Sequence, residues 1–580
     1  MANMIASAKE KINGLLQEAY EKAVQAGQLP AGAALAGTVE IPKDTANGDY
    51  AANHAMTGAR ALHMAPRAIA QILTDNMDLN GTWFESVSVA GPGFINFRLG
   101  GKWYEDVVKA VCEQGKDYGR IDEGHGKKVM VEFVSANPTG PMHMGNARGG
   151  VLGDALAAVL ERAGYDVWRE FYVNDAGNQI EKFANSIDAR YQQLILGEDQ
   201  VEFPEDGYHG DDIKELAGDF YQLHGADYLN KSVEERHSAM ARFGLDKNIP
   251  KMQSDLRRYG IEYDKWFFES CLHESGEVAE CVQLLTDRGY TYEKDGAIWL
   301  RTAQIITENM LKAGKSQKDI DKLELKDDVL RRANGFYTYF AADIAYHRNK
   351  FLRGFEKVIN VWGADHHGHV ARLKGAMDAL GFDGENGLDI VLMQLVKLMS
   401  GGEPVRMSKR TGKMISLNNL LDDVPVDAAR YFFNSRPETP VVFDLELAVR
   451  QDSENPVYYV QYAHARICTM LSAIAADGHP VPGAGETDLS LLNKDEEKEL
   501  IKQLALLPEE VRLAARDYDP SRINKYVTEL ASRFHKFYTE CRIKGAEAGI
   551  LEARLVLADA ARQVIAASLD MIGVSAPEKM

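Results

Sequence analysis

The sequence predicts an α/β protein: a Rossmann-like, doubly wound parallel-sheet domain, with an α+β N-terminal domain before it and an all-α C-terminal domain after it. Three observations carry that prediction. KKVMVEFVS (Lys127–Ser135) and KVINVWG (Lys357–Gly363) read as buried strands, each followed by a loop and a helical pattern, which is how parallel sheets are wound. Residues 1–100 join a helical pattern to an alternating one. Beyond about Asp444 no strand pattern remains. A chain of 580 residues is also too long for one hydrophobic core, so several domains are required.

In chain order, Ile12, Leu15, Leu16, Tyr20 and Val24 mark the first helix, and VSVAGPGFINFRL (Val87–Leu99) a strand-like stretch. Both fall in a domain spanning 1–120. The parallel-sheet domain, 121–443, opens on the first buried strand. The helix after its loop runs from about Gly145 to Ala163, with Val151, Leu152, Ala155, Leu156, Val159 and Leu160 as its apolar face. An insertion at about 185–260 is helical and acidic: 198–219 holds nine acids against one base, Lys214. The second buried strand leads into a helical pattern from about Val370 to Leu380. Residues 444–580 form the helical domain, interrupted by the Pro/Gly-rich loop DGHPVPGAGETD (Asp477–Asp488).

Composition removes several function classes. At 45% hydrophobic and 26% charged, the chain is neither fibrous nor disordered. No apolar run nears the roughly 20 residues of a membrane span, and Lys9, Glu10 and Lys11 stand where a signal peptide is apolar. A cytoplasmic protein without a membrane partner is expected. Cys112, Cys271, Cys281, Cys468 and Cys541 form no CxxC pair, which argues against a zinc site or a disulfide framework. The net charge of −20 argues against non-specific nucleic-acid binding. The charge is segregated, however: 511–550 carry eight Lys/Arg against five Asp/Glu, a local +3.

Two stretches carry chemistry. SANPTGPMHMGNARGG (Ser135–Gly150) ends a strand, turns on Pro and Gly, and opens a helix. A helix N-terminus offers free N–H groups and partial positive charge, which suits a phosphate. Gly145 would let a ligand approach the backbone, and His143 and Asn146 can donate hydrogen bonds beside it. The same residues fit a tight strand–helix connection with a solvated histidine, and alone they leave both readings open. No GxxxxGK[ST] loop competes, because Asn309 stands where Gly314-Lys315-Ser316 would need its leading glycine. The second stretch, VRMSKRTGKMISL (Val405–Leu417), sets Arg406, Lys409, Arg410 and Lys413 among Gly401, Gly402 and Gly412 with no acid. Such a loop can close over a polyphosphate and stabilise charge that develops during its cleavage, although alone it reads as a solvated basic turn.

Together the two stretches resemble the His-x-Gly-His and Lys-Met-Ser-Lys signatures of class I aminoacyl-tRNA synthetases. VEFVSANPTGPMHMGNARGG (Val131–Gly150), YVNDAGNQIEKF (Tyr172–Phe183), TYFAADIAYH (Thr338–His347), WGADHHGH (Trp362–His369) and YYVQYAHARI (Tyr458–Ile467) are similar to the arginyl-tRNA synthetase family. GDYAANHAM (Gly48–Met56) and AGPGFINFRL (Ala90–Leu99) resemble that family's N-terminal tRNA-contacting domain, and GVSAPEKM (Gly573–Met580) its C-terminus. The resemblance covers nearly the whole chain. Asn146 replaces the first signature's final His, and Arg406 the second's first Lys. Both substitutes still donate hydrogen bonds, and Arg406 keeps its charge.

The resemblance implies an arginine–tRNA ligase. It would activate L-arginine with ATP, accompanied by Mg²⁺, to arginyl-adenylate and pass arginine to the 3′ end of tRNA(Arg), acting as a monomer without a structural metal. It gives catalysis to His143, Gly145, Asn146 and Lys409, and ATP binding to these with Met407, Ser408 and Arg410. The motif region comprises Ala136, Asn137, Pro138, Thr139, Gly140, Pro141, Met142, His143, Met144, Gly145 and Asn146. Arginine binding falls to Glu132, Ser135, Asn137, Tyr339, Asp343 and His366. A guanidinium is best met by a planar acid, the part given to Asp343, with Tyr339 one helical turn earlier. Without the motif, those two read as a buried tyrosine and a capping or surface acid. His366, His367 and His369 suggest a metal site, but no Cys or HExxH spacing supports one.

In INKYVTELASRFHKFYTECRIK (Ile523–Lys544), Phe534, Phe537, Tyr538 and Cys541 fall at core spacing. Arg533, Lys536, Arg542 and Lys544 are the expected RNA-facing cations. Two other readings remain. A nucleotidyltransferase unrelated to tRNA is disfavoured by the long helical C-terminal half and the Met-Ser-Lys loop. A catalytically dead tRNA-binding paralogue is disfavoured by the presence of His143 and Lys409.

Overall fold

The structure is a computed structural model describing residues 3–32, 35–405 and 415–580. At its centre lie five strands: β1 (Lys128–Glu132), β2 (Asp166–Val173), β3 (Lys265–Phe268), β4 (Lys357–Gly363) and β5 (Leu388–Met393). Their spatial order is 5-4-1-2-3, and every neighbouring pair is parallel. This is a doubly wound sheet, and its order reverses between β1 and β4. Loops leaving those two strands diverge, and a crevice opens at their carboxyl ends, where ligands bind in such sheets. Val129, Met130, Val131, Val358 and Ile359 are buried, as helices on both faces require.

The second expected strand matches β4 residue for residue, but the first stops at Glu132 rather than Ser135. Val134 and Ser135 have φ of 71° and 40°, a left-handed conformation that cannot continue a strand. Helix α1 (Met144–Arg162) follows and packs on β1. Helix α2 (Tyr339–Leu352) precedes β4, and α3 (His367–Ala379) follows it.

Elsewhere the alternating stretch Val87–Leu99 is not one strand. Phe84–Ala90 and Phe94–Leu99 pair antiparallel, because Gly91-Pro92-Gly93 turns the chain between them, with positive φ at both glycines. They form half of a four-stranded antiparallel sheet. Within the catalytic half, three helices (Asn178–Leu196, Asp211–His224, Val233–Arg258) enclose a separate core of Phe183, Ile187, Tyr191, Ile213, Phe220 and Met240. Two small three-stranded sheets went unread in the sequence. One comprises Thr291–Lys294, Ala297–Leu300 and Asp328–Arg331; the other comprises Val396–Ser400, Glu403–Pro404 and Val441–Asp444.

After Asp444 the chain is helical. Phe534, Phe537 and Cys541 lie in its core. Three of the four expected RNA-facing cations stand beside acids: Arg533 by Glu499 and Glu529, Lys536 by Glu496, Lys544 by Asp477. The buried Arg430 guanidinium ties this unit to α1 and to the turn after the helix Val233–Arg258. It donates to Asp154 Oδ2 (2.5 Å), to the carbonyls of Tyr259 and Gly260 (3.1 and 3.2 Å) and to that of Ile572 (3.1 Å). Gly573 leaves room for it, since a Cβ there would lie 2.1 Å from the guanidinium. The chain end is bound as well: Gln461 donates to the Ser575 carbonyl (3.0 Å), and His464 Nδ1 lies 2.9 Å from the Pro577 carbonyl. Among the described residues, no helix is long and apolar enough to cross a membrane.

Gly153 sets the closeness of α1 to β1. A Cβ at this position would stand 2.1 Å from Cγ of the buried Phe133. Gly153→Ala should therefore destabilise the chain. Overpacking costs about 1–3 kcal/mol, more than the roughly 0.5–1 kcal/mol that alanine gains over glycine in a helix. A lower denaturant midpoint at unchanged slope is the expected result.

Candidate active site

The site is built from the end of β1 outward. The Phe133 carbonyl accepts from Tyr263 OH (3.1 Å) and from its own elbow, through Ser135 N–H (3.0 Å). A β-branched residue in the left-handed region, as Val134 is, carries strain of order 1–3 kcal/mol. The elbow folds Ser135 back over the strand. Its Oγ donates to Glu132 Oε1 (2.7 Å) and accepts from Tyr172 N–H (3.1 Å). Asn137 is exposed, and the Pro138 carbonyl is held by Asn248 (2.8 Å). Pro141 and Met142 then bring the chain to His143.

His143 is the N-cap of α1. Its Nδ1 accepts from Gly145 N–H (3.1 Å), and Asn146 Oδ1 accepts from His143 N–H (3.0 Å). The two side chains thus satisfy orphan donors at the helix start reciprocally, and Asn146 keeps only its Nδ2 donor for a ligand. The turn is also bound from across the crevice. His143 forms an antiparallel bridge with Ser416, and Leu417 N–H donates to the Met142 carbonyl (2.9 Å). Arg406, Met407, Ser408, Lys409, Arg410 and Lys413 lie outside the described residues, but Ser416 stands just beyond them in the chain. Behind the turn, the buried Arg148 donates to the carbonyls of Gln394 (2.5 Å), Arg436 (2.8 Å) and Thr439 (2.9 Å). Burial pulls its pKa down to about 10, so it stays charged at neutral pH.

The second wall comes from α2, which Thr338 caps. Tyr339 is 43% exposed, and its OH accepts from Gln179 N–H (3.3 Å). One turn on, Asp343 sits between two histidines: Oδ1 is 3.0 Å from His347 Nδ1, and Oδ2 is 2.6 Å from His369 Nε2. Burial alone would raise the Asp343 pKa, but His347 and His369 hold it well below the ordinary carboxylate range. His366 is exposed, its ring 5.9 Å from that of Trp362. Of the histidines in ADHHGH, only His369 reaches Asp343. Among the described residues, no group of three or more His, Cys, Asp or Glu side chains is arranged to hold a metal ion.

Glu132, Ser135 and Asp343 are joined by residues that sequence reasoning passed over. Lys350 Nζ meets Glu132 Oε2 (2.5 Å), and His347 bridges toward Asp343. Beneath them Glu170 accepts from both Arg353 nitrogens (2.7 Å each) and from Tyr346 OH (2.8 Å). Burial would raise the Glu170 pKa, but Arg353 holds it low. A signal was available: Asp343, His347 and Lys350 are spaced i, i+4, i+7, one face of a helix.

A sheet that reverses at β1 and β4, with a capped turn after one strand and a histidine-bearing loop after the other, has the architecture and loop positions that the class I aminoacyl-tRNA synthetase signatures implied. Residues 107–443 match the catalytic domain of class I tRNA synthetases (R), 9–99 the arginyl tRNA synthetase N-terminal domain, and 460–580 the DALR anticodon binding domain. The arginine–tRNA ligase of Caldanaerobacter subterraneus subsp. tengcongensis is 53% identical over the full length of both chains, and that of Ruminiclostridium cellulolyticum 51%. Thermus thermophilus arginyl-tRNA synthetase shares the fold, with a TM-score of 0.70 at 22% identity over 97% of this chain and 99% of that one. The chain belongs to the arginyl-tRNA synthetase family.

The cap makes the turn sensitive to acid. Burial holds the His143 pKa below the ordinary 6.5, and Nδ1 can accept from Gly145 only while unprotonated. The unfolded chain takes up this proton at a higher pH than the folded one. The cap's stabilisation is therefore full above about pH 6.5 and is lost as pH falls through the folded value. Asn is an equally good cap that does not titrate. The melting temperature of His143→Asn should rise relative to the parent as pH is lowered from about 7 to about 5; a constant difference would count against the cap.

Proposed function

We propose that the crevice at the ends of β1 and β4 carries out the family's reaction with the following division of work. The activity is that of an arginine–tRNA ligase: ATP and L-arginine give arginyl-adenylate and pyrophosphate, and arginine then passes to the tRNA 3′ end with release of AMP. The arginine carboxylate attacks the α-phosphate, forming the new C–O–P link while the bond to the β-phosphate breaks. The nucleophile comes from the substrate, so positioning and charge stabilisation are what the protein supplies. The start of α1, with His143, Gly145 and the Asn146 amide donor, receives ATP phosphates. Met407, Ser408, Lys409 and Arg410 complete the ATP site, Lys409 meeting the leaving pyrophosphate. Mg²⁺ enters with ATP as part of that substrate.

Glu132, Ser135 and Asn137 hold the arginine backbone, while Asp343 with Tyr339 receives the guanidinium and His366 flanks the site. Residues 1–120 and 444–580 contact tRNA around the catalytic 121–443. The chain acts as a monomer in the cytoplasm, where its five unpaired cysteines fit a reducing milieu. The observation that carries this reading is the bridge from His143 to Ser416, which joins the phosphate-suited turn to the end of the cationic stretch.

The test is ATP-dependent charging of tRNA with labelled arginine. The full chain should charge, and Asp343→Asn should lower kcat/KM for arginine by at least tenfold, since a charged partner contributes about 1.5–3 kcal/mol. An unchanged value would place the guanidinium elsewhere. A second variant separates the two ends of Asn146. Asn146→Asp keeps the oxygen that accepts from His143 N–H but replaces the donor with a charge facing phosphate. Its melting temperature should match the parent's, while kcat/KM for ATP falls by a factor of about 5 to 150 or more, the worth of a lost donor. Full activity would make Asn146 a cap only.

A further inference from the structure

Lys350 is a fully buried ammonium that the reaction does not use. Its three protons have three acceptors: Glu132 Oε2 at 2.5 Å, Asn360 Oδ1 at 3.1 Å and His347 Nε2 at 3.3 Å. The ring of Tyr346 closes the fourth side, its centroid 4.2 Å away. A lysine wholly removed from water is rare, and a buried ion pair is often no more stable than apolar side chains of the same volume. Stability gives little reason to keep this charge here, whereas its position relative to the two acids gives one.

The network is directional. Lys350 holds one oxygen of Glu132 and Ser135 holds the other, so the carboxylate has one orientation. His347 Nε2 faces two donors, Lys350 Nζ and Asn360 Nδ2 (2.6 Å), and can only accept from them. Its proton therefore sits on Nδ1, where it points at Asp343 Oδ1 and at the Asp343 carbonyl (2.9 Å). One ammonium thus orients both acids, Glu132 directly and Asp343 through the histidine it polarises. It also offsets the charge of Glu132, leaving Asp343 as the anion that a cationic side chain finds.

We propose that Lys350 is a positioning residue for arginine selection, acting through Glu132 and through His347 on Asp343. This rests on the reading that Glu132 and Asp343 receive arginine. The experiment uses the full chain with tRNA(Arg), measuring KM for arginine and for ATP, and the inhibition constant of citrulline, an uncharged isostere of arginine. Lys350→Met should raise KM for arginine about 10- to 100-fold, the scale on which partners that orient metal-ligating side chains act, with KM for ATP nearly unchanged. Preference for arginine over citrulline should fall by a similar factor. His347→Phe, which removes the Nδ1 donor, should act in the same direction.

Lys350→Met strands a buried carboxylate and can unfold the chain. His347→Phe leaves the Glu132–Lys350 pair in place and should melt near the parent temperature, so the arginine defect is read in it without a stranded charge. The proposal is overturned if a folded variant keeps the parental KM for arginine, or if both KM values rise together with the arginine-to-citrulline preference intact. Failure of the parent to charge tRNA with arginine would instead overturn the functional reading beneath it.

Discussion

Every group in the crevice takes its register from the carboxyl end of β1, where the backbone leaves the sheet through two left-handed residues. Val134 and Ser135 bear that strain, and the elbow they make does three things at once. It ends the strand, returns the Ser135 hydroxyl to Glu132, and sends the chain toward the capped start of α1. Strain of this kind persists only when the surroundings over-determine it. Here Tyr263, Tyr172 and the Gly153–Phe133 contact supply the restraint.

Three buried charges in and behind the crevice are either matched or surrounded by oriented dipoles. Glu170 has Arg353 and Glu132 has Lys350. Arg148 instead has a ring of carbonyls, which leaves its positive charge unneutralised behind the turn. A cation held there by neutral dipoles adds to the partial positive charge of the helix start in front of it. The crevice therefore has two electrostatic characters. The turn side is electropositive, and the α2 side carries the carboxylate of Asp343.

The fold was legible where burial is two-sided. KVINVWG is apolar apart from Lys357 and Asn360 because helices cover both of its faces, and the helices of the C-terminal unit show their period plainly. Val87–Leu99 misled because a hairpin turning on Gly-Pro-Gly keeps the alternation of one long strand. The elbow was illegible for a physical reason: a β-branched valine is among the last residues expected at positive φ. The turn around His143 could be read by motif, but its use of Asn146 as a cap acceptor required coordinates. Lys350 and His347 were missed because lysine on a helix ordinarily reads as solvated, and nothing local says that this face looks onto β1 and β4. The cationic stretch from Arg406 to Lys413 stands on sequence alone, with only its flank at Ser416 given a structural place.

The Arg430 joint has a consequence in time as well as in space. Its four partners come from Asp154, from Tyr259 and Gly260, and from Ile572, so it draws together distant parts of the chain. Ile572 lies almost at the end of the sequence. A growing chain holds the residues of all five parallel strands long before this, yet the acceptor of the guanidinium's Nε, the Ile572 carbonyl, is absent until that residue has been added. Closure of the joint thus comes late in synthesis: without Ile572 the buried guanidinium keeps Asp154, Tyr259 and Gly260 as partners, but its Nε donor has no acceptor.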